Sequence, residues 1–350
     1  MVQKFENIFI EAIAACVPKN IIQNNYFSEL LEPKEIRKFE KTTGIKERRY
    51  ADEETTASDL GYTAAKKILD EQRCESEIKA LIFLSQTPDY KIPFTSNILQ
   101  DRLGLPKEVL CLDINAGCSG FIQGLSVAYS LANTIQGKVL LIVSETLSKV
   151  LSPNDRSTTM MFGDGGSAVL IGKSESSKKE SYFNFFSDGE NSDAIMIPHG
   201  GYRNQFNVNS LNWVEDEKGN KMKGTHLTMD GPRVFDFTLR EVPKSIDLLK
   251  KQFNFNIDDI DLFLFHQSNK FIINQISSRL GLPKEKVLIN IDQFGNTSGV
   301  SIPLLMASEM FNIEKKDRKI LLSGYGVGLN WGNCLLHIND NIKIYKIIEL

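Results

Sequence analysis

The sequence predicts an α/β fold made of two copies of one half-domain, stacked as a duplicated αβαβα arrangement. Three observations point there. The heptapeptide RLGLPKE stands at residues 102–108 and again at 279–285. Each copy follows a short apolar run (81–84 and 262–265) and precedes a second one, VLCLDINAGCSG ending at Gly120 and VLINIDQFGNTSG ending at Gly299. Both blocks alternate strand-length apolar runs with amphipathic helical stretches. A repeat of this length is too large for a solenoid unit. Two halves packed about a pseudo-twofold would bring their matching turns together, joining Cys118 of the first half to His266 and Asn296 of the second.

The elements follow in order. Residues 1–17 read as a first strand, because Glu11 interrupts the apolar run IFIEAIAACV and no basic leader precedes it as in a signal peptide. Residues 21–50 mix helix and loop. From Ser58, an N-cap candidate, Leu60, Ala64 and Ile68 recur at helical spacing. Strands follow at 81–85, 109–115, 139–143 and 168–172. The stretch 119–134 is apolar on nearly every face, as a helix at the centre of a fold would be. Residues 174–225 are polar and aperiodic and read as an inter-half connection enlarged by an insertion. The second half resumes with a helix over 234–253, expected to break or kink at Pro243. Its strands fall at 262–265, 287–291, 319–323 and 334–338. The chain thus divides into 1–173, carrying the cysteine, the connection 174–225, and 226–350, carrying the histidine and asparagine.

Composition agrees with this plan. A length of 350 residues suggests about two domains. With 41% hydrophobic and 24% charged residues the chain is an ordinary soluble protein able to bury a large core. A net charge of −3 gives no whole-chain reason to expect nucleic acid or an anionic membrane. No stretch approaches the ~18 apolar residues of a membrane span. Five cysteines without a CxxC pair suggest neither a disulfide framework nor a zinc site, and point to the cytoplasm.

Cys118 lies in NAGCSGF, after an apolar strand and at the start of the buried helix. There the helix N-terminus favours thiolate over thiol, and strand–turn–helix is a recurrent way to expose a nucleophile above a sheet. Cys16, Cys74, Cys111 and Cys334 read as small buried hydrophobes. His266 follows LFLF at the carboxyl end of a strand, where ligands of α/β sheets gather. Asn296 sits in the glycine-flanked turn FGNTSG. Each is weak alone, and the repeat is what pairs them with Cys118. His199 reads as a loop residue, and His226 and His337 as structural residues of strands. FGDGGSA at 162–168 lacks the spacing of a phosphate loop and reads as tight packing near the site. GYGVGLNWG at 324–332 leads into a strand. Its backbone N–H groups suit an oxyanion hole, and a β-bulged turn explains the same residues equally well.

In this order NAGCSGF, FGDGG, HLTMDG, HQSN, GNTSG and GYGVGLNWG resemble the ketoacyl-ACP synthase III branch of the thiolase-fold condensing enzymes. TGIKERRYA at 43–51 extends the match, and the insertion around 192–223 is the part least covered. The resemblance implies a thiolase-like fold and an acyltransferase that works as a homodimer on acyl-CoA or acyl carrier protein thioesters, without a metal or other cofactor. It implies that Cys118 takes the acyl group, that His266 and Asn296 donate to the malonyl carbonyl as CO2 leaves, and that the N–H groups of Cys118 and Val327 hold the oxyanion. That set suits the chemistry, since decarboxylation without a strong base needs two donors on one carbonyl oxygen.

The chain departs from the initiating synthases at its entrance. The family's CoA-stacking Trp falls near Lys38 or Phe39, and an Arg of that pocket falls at Thr42, beside Lys41. A carrier-docking basic residue becomes Phe271, adjoining Lys270, whereas the Arg of NDRST is kept as Arg156. The acyl-pocket residue reaching across the dimer is Ile92. These departures keep a second reading open, transfer of the acyl group to an amine or alcohol. A papain-like hydrolase also orders Cys, His, Asn, but the duplication and the absence of a CGSCW-like context count against it. A non-catalytic paralogue would typically have lost the nucleophile.

Overall fold

The computed structural model describes residues 1–174, 179–314 and 316–350. Asn7, at φ 63, divides the expected first strand. The resulting strands, β1 (Val2–Glu6) and β2 (Ile8–Val17), enter different sheets. A small pair, β3 (Ile21–Gln23) with β4 (Glu47–Arg49), encloses α1 (Pro33–Thr43). The cap of α2 (Ala57–Gln72) is Thr56 rather than Ser58, with Thr56 and Asp59 bonded reciprocally. Ser58 is the second residue of the helix and donates to Asp89 at 2.6 Å.

The first half continues through β5 (Ile78–Leu84), α3 (Thr95–Arg102), β6 (Leu110–Ile114), α4 (Gly120–Thr134), β7 (Lys138–Glu145) and β8 (Gly165–Lys173). The stretch expected to be connection supplies β9 (Glu180–Ser187) to the second sheet. The remainder holds two short pairs, β10 (Ile195–Met196) with β13 (Thr228–Met229) and β11 (Val214–Glu215) with β12 (Lys221–Met222). His226 lies in the turn before β13, not in a strand, and its Nδ1 accepts from the Lys223 N–H at 3.1 Å.

Then comes α5 (Gly231–Phe253), which runs through Pro243 as one element. Val242, Ile246 and Leu249 are buried on either side, and that packing offsets the one lost backbone bond. Following it are β14 (Leu262–Phe265), α6 (Lys270–Arg279), α7 (Ile291–Phe294), α8 (Ser301–Glu309), β15 (Arg318–Gly326), β16 (Asn330–Ile338), β17 (Lys343–Ile344) and β18 (Ile348–Glu349). The strand expected at 287–291 shrinks to one bridge, Val287 to Phe263. The chain coils into a 3-10 turn just before it and into α7 just after, leaving no length for a ladder.

The strand orders carry the duplication. The first sheet runs β17-β2-β8-β7-β5-β6, with β18 also on β2, and the second runs β1-β9-β16-β15-β14. In the first, β6, β5 and β7 are parallel while β8 and β2 are antiparallel. In the second, β14 and β15 are parallel while β16 and β9 are antiparallel. The repeated heptapeptide also folds twice in one way: α3 and α6 end at Arg102 and Arg279, and the glycines beyond them turn left-handed, Gly104 at φ 65 and Gly281 at φ 66. Only glycine takes that turn at no steric cost. The halves also exchange strands, since β1 joins the second sheet and β17 and β18 join the first.

Five layers result. α4 and α8 are buried between the two sheets in one apolar cluster. α2 packs on the outer face of the first sheet and α5 with α6 on that of the second. The apolar girdle of α4 is thereby explained, because sheets cover both its sides. Cys16, Cys74 and Cys334 are buried, whereas Cys111 is only half-buried on the edge strand β6.

Candidate active site

Cys118 precedes α4, and His266 follows β14 directly. Asn296 stands between α7 and α8, and Val327 in the turn joining β15 to β16. All four line one cavity of about 260 Å3. The turns matched by the repeat therefore do converge. Cys118 is 9%, His266 1% and Asn296 4% exposed, so the reacting groups would meet out of bulk water.

Each side chain is held by neighbours that constrain its chemistry. Cys118 Sγ lies 3.7 Å from Ser298 Oγ. Burial pushes its thiol up, while hydrogen bonds from Ser298 and the Val327 backbone pull it down. The net direction is upward, so burial outweighs these bonds. Gly326 makes room for the sulfur, since a Cβ there would stand 2.5 Å from Cys118 Cβ and 2.9 Å from Sγ.

His266 is pulled down from 6.5 to about 3 by burial, partly opposed by the backbone of Ser298, so the ring is neutral at ordinary pH. Its Nδ1 lies 2.7 Å from Ser301 Oγ, and its carbonyl accepts from the Tyr325 hydroxyl at 3.1 Å. Asn296 Oδ1 accepts the Ser298 N–H at 2.9 Å, which leaves the amide NH2 as the end uncommitted among the described residues. Its backbone is pinned on both sides, donating to Met161 O at 2.8 Å and accepting from the Gly163 N–H at 3.1 Å. FGDGG thus supports the asparagine turn, as tight packing would.

A buried thiol, a neutral imidazole and a free amide NH2 around one apolar cavity suit acyl-thioester chemistry. They supply one nucleophile and two uncharged donors.

The comparisons with known proteins agree. The family model described as 3-Oxoacyl-[acyl-carrier-protein (ACP)] synthase III matches residues 112–189, which include Cys118, and its C-terminal counterpart matches 250–338, which include His266, Asn296 and Val327. A Beta-ketoacyl-[acyl-carrier-protein] synthase III of Natranaerobius thermophilus is 33% identical over 94% of this chain and 99% of its own length. The chain belongs to the 3-oxoacyl-[acyl-carrier-protein] synthase III family. A Campylobacter jejuni relative named putative 3-oxoacyl-[acyl-carrier-protein] synthase 3 is 34% identical over 99% of both chains. The crystal structure of a 3-oxoacyl-(acyl-carrier protein) synthase from Burkholderia xenovorans superposes with a TM-score of 0.93 at 35% identity, covering 100% of this chain and 99% of that one. The thiolase-like fold and the acyltransferase class follow from these likenesses.

Not every expected residue of this synthase III chain reaches the cavity. Lys41, Lys270 and Phe271 line a separate groove of about 590 Å3, together with Arg37, Thr42 and Lys46. Their walls touch at a stacked pair, Phe235 of the cavity and Phe271 of the groove, with centroids 5.9 Å apart. Phe39 is half-buried against a small core with Phe27 and Leu31, so it offers no open platform, and Lys38 is exposed. Arg156 lies outside both spaces, 3.5 Å from Glu35, and Ile92 is 80% exposed on the surface. Sequence reasoning passed over Ser298, Ser301 and Tyr325, and over the wall residues Leu227 and Met229. Leu227 and Met229 belong to HLTMDG, and that motif is the signal that could have found them.

Proposed function

We propose that this chain condenses an acyl thioester with a malonyl thioester by way of an acyl-cysteine. Cys118 Sγ attacks the acyl carbonyl and expels the carrier thiol, which leaves with the proton. A malonyl thioester then enters, and its bond to the carboxylate breaks to release CO2. The electron pair passes into the thioester carbonyl, whose oxygen accepts hydrogen bonds from His266 Nε2–H and Asn296 Nδ2–H. The resulting carbon nucleophile attacks the acyl-Cys118 carbonyl, whose oxyanion is held by the N–H groups of Cys118 and Val327. Collapse releases a 3-oxoacyl thioester and the Cys118 thiolate, which takes up a proton from solvent to regenerate the thiol. The observation that carries this reading is the cavity shared by Cys118, His266 and Asn296, with Asn296 Oδ1 already occupied by Ser298. Positioned neutral donors stabilise an enolate without a base, and holding both carbonyls in one cavity makes the condensation local. The thioester carbonyl is its own electron sink, so the chemistry asks for no metal or other cofactor.

Carrier-bound donors suit the entrance better than free CoA. A lost stacking or charge-assisted contact at Lys38 and Thr42 is worth ~1–3 kcal/mol. Lys41 and Lys270 in the groove, with Arg156 beyond it, offer cations to a pantetheine phosphate. Two copies would complete the enzyme: β6 is an edge strand with Leu110 52% exposed, and Tyr90, Ile92 and Phe94 stand out at 62%, 80% and 50%. In a C2 pair, Ile92 would line the partner's acyl pocket. Among the described residues no helix is long and apolar enough to cross a membrane, and the cytoplasm is the proposed place of work. Intact-protein mass spectrometry after exposure to matched acetyl-CoA and acetyl-carrier-protein tests the donor. Faster loading from the carrier is expected, and equal or faster loading from acetyl-CoA rejects that preference.

A further inference from the structure

A neutral imidazole carries hydrogen on one ring nitrogen only, and the neighbours of His266 select which. Nδ1 lies 2.7 Å from Ser301 Oγ, and the same oxygen accepts the Gln267 N–H at 3.3 Å. Among the described residues the Ser301 hydroxyl has no other hydrogen-bond partner. An oxygen accepting a backbone N–H keeps its own hydrogen for an acceptor, and Nδ1 is the one within reach. Were Nδ1 protonated, Ser301 would face two donors, and its own hydrogen would be stranded on a residue 2% exposed. With Nδ1 accepting from Ser301, the single ring hydrogen of the neutral imidazole sits on Nε2.

We propose that Ser301 is a positioning residue that fixes His266 as the Nε2–H tautomer, poised to donate to the thioester carbonyl while Ser301 itself touches no substrate. Ser301 does not line the cavity. Its partner Gln267 is clamped in turn, donating to Phe265 O at 2.8 Å and accepting from the Asn290 N–H at 3.2 Å. The proposal rests on the donor role given to His266 above and adds what enforces it.

The test uses the full-length protein with 15N-labelled histidine. The wild-type His266 ring should show a protonated Nε2 and a bare Nδ1 by NMR. Ser301→Ala should populate both tautomers and slow malonyl-carrier-protein decarboxylation roughly 10–100-fold, the usual reach of an orienting partner. Loading of Cys118 should be unchanged, and Ser301→Thr, which keeps the hydroxyl, should restore both readouts. A wild-type ring protonated on Nδ1 overturns the proposal even if the alanine variant fails to fold. So does an alanine variant with wild-type tautomer and decarboxylation. A shifted tautomer with undiminished decarboxylation would instead overturn the donor role of His266 and leave the tautomer assignment standing.

Discussion

Adding one methyl group at Gly326 should disable the nucleophile without touching its chemistry. The new Cβ of Gly326→Ala would lie 2.5 Å from Cys118 Cβ and 2.9 Å from Sγ. Carbon contacts settle near 3.5–4.0 Å, so the cysteine or the loop must retreat by about 1 Å. Neither has room to do so freely: a Cβ at Gly324, on the same strand, would already stand 3.0 Å from Ser119 Cα. A displacement of ~1 Å in a reacting group commonly costs on the order of 10²-fold in rate. Overpacking adds ~1–3 kcal/mol of destabilisation. The assay is the rate at which Cys118 gains an acyl mass, followed by intact-protein mass spectrometry, with thermal melting to confirm folding. Gly201→Ala serves as control, since nothing lies within 4 Å of its added Cβ. Loading by the Gly326 variant as fast as by wild type would refute the close packing on which the site rests.

Three further outcomes follow from the same geometry. His266→Ala and Asn296→Ala should still load an acyl group yet decarboxylate malonyl thioester ~10²–10³-fold more slowly, and a variant that decarboxylates normally while failing to acylate would reverse the roles. His266 is pulled from 6.5 to about 3, so below pH 6.5 the unfolded chain binds a proton that the folded chain refuses and stability falls with pH. Between pH 7.5 and 5 this amounts to about 2 kcal/mol, a slope that urea titrations should find reduced in His266→Ala and whose persistence there would contradict the burial argument. Light scattering should find a dimer at micromolar concentration, and a purely monomeric species would remove Ile92 from the acyl pocket.

The fold was legible because the heptapeptide is written twice, and its two glycines take nearly the same φ. Cys118, His266 and Asn296 were legible for a related reason: each follows an apolar run within the duplicated pattern, and the strand order then forces them together. What stayed hidden depends on partners far away in the chain. Nothing in VQKFENIFIEAIAACV marks Asn7 as the point where the chain changes sheets, because strand-forming residues continue on both sides. The polar composition of 174–225 concealed β9, whose alternate residues are covered only once α4 and α5 pack on the two faces of its sheet. Ser298 and Ser301 look like ordinary turn and helix-start residues until Cys118 and His266 fold against them. Arg156 and Ile92 were given roles toward a carrier and a second copy, and the single chain leaves both on the surface, outside the cavity, where neither partner is present to define them.

The most direct test of the account is to preload the enzyme with an acyl group, confirm the adduct on Cys118 by peptide mapping, and chase it with malonyl-carrier protein while following CO2 and products together. One CO2 and one 3-oxoacyl thioester should appear for each acyl group that leaves Cys118, and Cys118→Ala should show neither adduct nor product. Discharge of the acyl group to an amine, an alcohol or water without release of CO2, or an undiminished adduct in Cys118→Ala, would contradict it.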